Sequence, residues 1–95
     1  MTGVTIRVRP AEQRDWPTLV ENNRRMAEET EGVELDPATL ESGIRGLLDD
    51  DSHGRYWVAC DGDRVVGQVM HTREWSDWRN GQLWWLQSVY VLPEY

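Results

Sequence analysis

Apolar and polar residues alternate from Val4 to Arg9, which predicts a short strand with Val4, Ile6 and Val8 on one buried face. Pro10 ends it. The period then lengthens. Trp16, Leu19, Val20, Met26 and Ala27 recur at helical spacing, with Asn23 on the same stripe. Asp15 stands as the candidate N-cap, Pro17 falls in the first turn, and Gly32 closes the helix. Asp36-Pro37 signals a second helix start, and Leu40, Ile44, Leu47 and Leu48 form its apolar stripe. A polar loop from Asp49 to Gly54 leads to a strand over Arg55–Cys60. A tight hairpin turn at Asp61-Gly62 and a return strand from Arg64 to about Glu74 follow. The loop from Trp75 to Gly81 closes on the turn pair Asn80-Gly81, and a last strand runs from Leu83 to Val91. The predicted order is β-α-α-β-β-β: an α+β fold with a mainly antiparallel sheet and two helices on one face, in a single unit over residues 1–95.

The last strand is the most unusual segment. Simple alternation puts Leu83, Trp85, Val89 and Val91 on one face and Trp84, Leu86 and Tyr90 on the other. A strand apolar on both faces belongs in the middle of a structure. It stands only a few residues before Tyr95, so residues 1–95 read as the first part of a larger domain. An uncovered strand of this kind is expected to drive self-association. Trp57, Trp84 and Trp85 are expected to pack as core residues.

Composition narrows the partners. The formal charge is −7, with all ten cationic side chains arginine. That acidity argues against nucleic acid and anionic membranes. It suits a basic ligand, and equally it serves plain solubility. Cys60 is the sole cysteine, so no internal disulfide forms, in keeping with a reducing cytoplasm. The N-terminus lacks the apolar core of a signal peptide, and no run approaches the ~20 apolar residues of a membrane span. His53 and His71 are the only histidines and lack ligand spacing, so no metal site is expected. Ser88 lacks a Gly-x-Ser-x-Gly setting, so a serine hydrolase is not indicated.

The element order, the hairpin segment Asp61-Gly-Asp-Arg-Val-Val-Gly67 and the ending Ser88-Val-Tyr-Val-Leu-Pro-Glu-Tyr95 together resemble the first half of the GNAT superfamily of N-acyltransferases. The resemblance covers essentially the whole chain. It implies acetyl-CoA as the acyl donor and a primary amine as the acceptor, small molecule or peptide. By position, Val89, Tyr90 and Val91 would offer backbone groups to acetyl-CoA. An acyl carbonyl that turns tetrahedral needs a fixed donor for its oxygen, and an N–H exposed at a strand bulge can be one. In the resembled family a basic, glycine-rich loop follows this Pro-x-x segment and grips the pyrophosphate at a helix N-terminus. Such a loop is not among the 95 residues, nor is the usual tyrosine acid, so the chain alone is expected to be inactive and to bind acetyl-CoA weakly.

Other residues offer chemistry with two readings each. Glu74, at a strand end beside indoles, is either a general base (directly or through water) or a solvated acid. Asp77 has the same alternatives. Trp75 and Trp78 either wall a cation site or pin their loop to the sheet. Glu28, Glu29, Glu31 and Glu34 cluster at the helix join, where the resembled family often borders its acceptor; Glu31 would draw an amine there, or the cluster is a solvated face. The competing functions are therefore an incomplete N-acetyltransferase, a non-catalytic module holding a cationic ligand with Trp75, Trp78 and the acidic cluster, and a fragment without function.

Overall fold

The structure is a computed structural model that describes residues 5–95; Val4, placed in the first strand above, lies outside the described residues. Strand β1 spans Ile6–Pro10, and a short 3-10 turn at Gln13–Asp15 leads into helix α1, Trp16–Glu31. Helix α2 is Pro37–Asp49, and three strands follow: β2 Gly54–Asp61, β3 Arg64–Ser76 and β4 Gly81–Val91. The strands form one antiparallel sheet in the order β1-β2-β3-β4. The expected element order and α+β class are thus present. No helix of the described residues is long and apolar enough to cross a membrane.

The helix ends show why the chain folds locally as it does. Asp36 caps α2: its carboxylate accepts the Thr39 N–H at 2.9 Å and the Thr39 hydroxyl at 2.6 Å. Gly32 takes the left-handed conformation after α1 (φ 63°), and Val33 N–H reaches back to the Ala27 carbonyl at 3.2 Å. Asp15 stands at the N-cap position of α1 but makes no cap bond with its side chain. Its carboxylate is taken by the fork of Arg9 at 2.8 and 2.9 Å and by Glu12 N–H at 2.7 Å. A charged, bidentate partner outcompetes a helix N–H for the same oxygens.

Leu19, Ile44, Tyr56, Val58 and Cys60 form the main core, with Trp16, Leu40, Leu47, Leu48 and Met70 packed around it. The helix stripes read from the sequence therefore do face the sheet. A second cluster joins Val66, Tyr90 and Leu92 to Met26 of α1. Gly54 opens β2 because a Cβ there would collide with the His71 backbone carbonyl. The β2–β3 turn is one residue later than expected: Asp61 still pairs with Arg64, leaving Gly62-Asp63 as the loop. The chain end is fastened beside this turn, with Arg64 bonded to Glu94 at 2.8 Å and the Tyr95 hydroxyl donating to Asp61.

Three expectations about burial are corrected. The apolar side of β1 is not buried: Ile6 and Val8 are exposed, because both helices pack on the opposite face, where Arg7 and Arg9 point. Strand β4 is not covered from both sides. It is the sheet edge, and Trp84, Trp85, Leu86, Val89 and Val91 are 52–71% exposed. Trp84 and Trp85 are therefore not core residues. The third correction is the face assignment along β4. Gln68 pairs with Tyr90 but Met70 pairs with Gln87, so Ser88 and Val89 together oppose Val69. This bulge reverses the alternation. Leu83, Trp85 and Tyr90 share the helix side, while Trp84, Leu86 and Val91 share the outer side.

Candidate active site

The bulge is the centre of the site. Ser88 holds φ 51°, a left-handed conformation uncommon for a residue with a Cβ. Its carbonyl accepts a hydrogen bond from Gln68 Nε2 at 3.3 Å. Gln68 is buried, and among the described residues its Oε1 has no partner. Beyond Ser88, Val89 and Val91 stand on the sheet edge, while Tyr90 turns inward and donates its hydroxyl to Glu29 at 3.0 Å. The main chain of this segment is anchored at Leu92, whose N–H reaches the Val66 carbonyl at 2.9 Å.

Facing the bulge across the sheet is the Tyr56 phenol. It is 4% exposed and accepts from Asn23 Nδ2 at 3.1 Å, which also donates to the Leu19 carbonyl at 2.8 Å. Burial pushes the Tyr56 pKa up, against the opposing bonds of Asn23 and Ser88, so the phenol keeps its proton. With its oxygen already accepting from Asn23, that proton is its remaining contribution. Tyr56 and Ser88 line one pocket with Asp36, Leu40, Ile44 and Met70, and its volume is about 390 Å³. The Asp36 carboxyl is held below its ordinary value by the Thr39 hydroxyl and then the Thr39 N–H, so it carries charge at neutral pH. A larger cavity of about 600 Å³ lies beside Leu92 and the buried Asn22, whose Nδ2 has no partner among the described residues. Its charges are largely matched in pairs: Arg9 with Asp15, Arg14 with Glu12 and Arg64 with Glu94.

The residues singled out from sequence fall into separate places. Val89, Tyr90 and Val91 are at the bulge. Glu74 is five residue steps further along β3 than Val69, about 16 Å at ~3.3 Å per residue. Its carboxylate accepts from Trp85 Nε1 at 2.8 Å in the exposed stretch of the hairpin beyond the helices. Trp75, Asp77 and Trp78 sit at the hairpin tip, about 23 Å from Gln68 by the same count. Trp78 is 95% exposed, so it does not pin the loop to the sheet. Glu31 is exposed at the end of α1. Its neighbours are engaged: Glu28 with Arg24 at 3.0 Å and Glu29 with Tyr90. Tyr56, Asn23 and Asp36 were missed as site residues. Asn23, a polar residue within an apolar helical stripe, was the one visible sign.

The chain matches known proteins in sequence and in fold. The family model for the acetyltransferase (GNAT) family matches residues 7–95. The chain belongs to the GNAT family. Among solved structures, a possible acetyltransferase from Clostridium difficile 630 superposes on this GNAT chain with a TM-score of 0.90 and 47% identity, over 98% of the chain and 60% of its own length. An integron cassette protein from the mobile metagenome of Cole Harbour Salt Marsh gives a TM-score of 0.84 at 26% identity, with 92% and 57% covered. A predicted acetyltransferase from Clostridium acetobutylicum, solved with acetyl-CoA, shares the fold at 18% identity with a TM-score of 0.76, with 95% and 62% covered. No curated protein matches the chain by sequence. The GNAT chain thus spans about 60% of the length of the solved structures it matches.

Proposed function

We propose that this chain supplies the thioester-holding strand and the acceptor pocket of an N-acetyltransferase that moves acetyl from acetyl-CoA to a primary amine. The observation that carries the reading is the bulge at Ser88-Val89 opening directly onto the pocket lined by Tyr56 and Ser88. An edge strand leaves alternate N–H and C=O groups unpaired, and the amide-rich pantetheine arm pairs with such an edge as another strand would. The N–H groups of Val89 to Val91 then steady the thioester oxygen as the carbonyl carbon turns tetrahedral. The amine nitrogen attacks from the pocket, the C–N bond forms, the C–S bond breaks, and the thiolate of coenzyme A takes up a proton. Of the two bases the sequence offered, Glu74 and water, the ~16 Å separation favours water.

The test follows the amide resonances of the 95-residue chain during titration with acetyl-CoA. The expected result is weak binding, with shifts concentrated at Val89, Tyr90 and Val91. Weakness is expected because no basic glycine-rich loop follows Pro93 within these residues. Micromolar binding with shifts elsewhere, or no shift at these amides, overturns the reading. In any longer form that turns over, Glu74→Gln should leave the pH–rate profile unchanged; a slowing at low pH would restore Glu74 as the base.

A further inference from the structure

Resting on that reading, we infer that the acceptor is a primary amine carried on a compact apolar body, of the arylalkyl- or alkylamine class, and not a polycation or a polyhydroxylated amine. The pocket is walled by Leu35, Leu40, Ile44, Leu47 and Met70, and its volume is about 390 Å³. That is at the small end of the range for ligand pockets, room for one ring or a short chain. Its polar side chains, Asn23, Asp36, Thr39, Tyr56 and Ser88, are in good part engaged with one another: Asn23 donates to Tyr56, and Thr39 donates to Asp36. Tyr56 has one proton to donate, its oxygen being engaged with Asn23. The Ser88 hydroxyl at the bulge bonds Tyr56 as well, and offers the ligand its remaining lone pair. Among the described residues Asp36, exposed at the pocket rim, is the only carboxylate of the lining, and Thr39 engages one of its oxygens, Oδ2, which leaves Oδ1 for a ligand.

This inventory discriminates between amine classes. One charged oxygen balances one ammonium group. A polyamine would bring several cations against a single carboxylate and apolar walls, and each unmatched charge resists leaving water. A sugar-based amine carries more hydroxyls than Thr39, Tyr56 and Ser88 can pair, and those set against Leu40, Ile44 and Met70 would lose their water without a partner. An apolar body loses nothing there and gains by leaving water. Its amine end finds Asp36, Tyr56 and Ser88, and Ser88 is also the residue that begins the thioester-holding segment.

Gly43 gives a clean test, since it lines the pocket in the middle of α2 and an added Cβ meets no atom within 4 Å. Gly43→Leu fills the pocket and favours the helix. The 95-residue chain is titrated separately with 2-phenylethylamine, spermidine and acetyl-CoA while the amide resonances are followed. Expected are shifts at Leu40, Tyr56 and Ser88 with 2-phenylethylamine, with a Kd at least tenfold lower than for spermidine. Gly43→Leu should weaken 2-phenylethylamine at least tenfold and leave the acetyl-CoA shifts at Val89–Val91 in place. Equal or tighter binding of spermidine, or 2-phenylethylamine binding untouched by Gly43→Leu, overturns the acceptor class while the transferase reading stands. Absence of acetyl-CoA shifts at Val89–Val91, with 2-phenylethylamine still at Tyr56, overturns the transferase reading and leaves the pocket's preference for apolar amines.

Discussion

Where α1 and α2 cross the sheet, β2 turns Tyr56, Val58 and Cys60 inward with at most 5% exposure. Where β3 and β4 run on past the helices, Trp75, Trp84, Trp85 and Leu86 are 52–71% exposed. Both regions carry large apolar side chains in sequence. They differ in what lies over them, and the second projects from the body of a molecule with extents of 50 × 32 × 25 Å. Apolar content thus marks where a cover is needed and does not reveal whether the chain provides it. The bulge at Ser88-Val89 lies between the regions, so the candidate site sits where the covered sheet becomes the open one.

Leu19→Ala and Leu86→Ala put that contrast to its strongest test. Leu19 is fully buried in the main core and Leu86 is 71% exposed on the edge. The first substitution should cost about 3–4 kcal/mol and the second no more than about 0.5 kcal/mol in urea unfolding. Comparable costs would mean that the hairpin arm is packed in solution.

Arg9→Met probes the covered end through charge. Asp15 has a side chain 7% exposed, while that of Arg9 is 30% exposed. Burial alone would raise the Asp15 pKa, but the Arg9 fork and the Glu12 N–H outweigh it and hold the value below normal. A depressed folded pKa stabilises the protein above the unfolded value of about 3.9, and that contribution is lost as pH falls through the folded value. Removing Arg9 should cost about 2–3 kcal/mol at neutral pH, less than a fully buried pair because Arg9 is partly solvated. Asp15 would then be buried without its cation and burial would push its folded pKa up, so the loss of stability that Asp15 contributes on acidification of the parent should vanish or reverse, because protonation now relieves a buried charge. An unchanged stability–pH curve would show that the pair contributes nothing.

Much of the covered end was legible because its signals are local. Asp36-Pro37 fixed the start of α2, Gly32 ended α1, and the stripe from Leu19 to Ala27 named the buried side of the first helix. The edge was harder to read. Period-two alternation was projected straight through Ser88, and a bulge leaves no sure mark in composition, so Tyr90 and Val91 were assigned to the wrong faces. Val8 failed for another reason: a strand pattern says which residues share a face, not which face the helices choose. The pocket was missed since Tyr56, Asn23 and Asp36 lie far apart in sequence and meet only through the fold. Glu74 was singled out by Trp75 and Trp78 beside it in sequence, but the indole it bonds is Trp85, from the neighbouring strand and away from the bulge.

A smaller effect should come from the bare face itself. His71 links three strands there: its Nδ1 accepts from Trp57 Nε1 at 3.2 Å, and its ring stacks on Trp84 at 4.5 Å. His71→Phe keeps a stacking surface but removes the acceptor, at an expected cost of about 1 kcal/mol. His71→Ala removes both and should cost somewhat more, by about 0.5–1 kcal/mol. The Trp57 indole N–H resonance should move upfield in both variants. If it stays in place, that N–H is bonded to something other than His71.

The smallest change in stability should accompany the largest change in association. Strand β4, Gly81–Val91, carries no charged residue, although the whole chain has a formal charge of −7. A second β4 can therefore lie against it without burying a charge, and the exposed Trp84, Trp85 and Leu86 would leave water as it did so. Each such side chain contributes up to about 1.5–3 kcal/mol when fully buried. Repulsion between acidic partners opposes pairing, but at physiological salt it is screened beyond about 8 Å. The chain is therefore expected to self-associate at tens of micromolar in analytical ultracentrifugation, more strongly as salt is raised. Leu86→Lys places a cation on the outer side of the edge, a device that sheet proteins use to prevent such pairing. It should return the chain to monomer while shifting its unfolding free energy by no more than about 0.5 kcal/mol. A parent chain that stays monomeric and cooperative at these concentrations would show that the exposed tryptophans are tolerated without a partner.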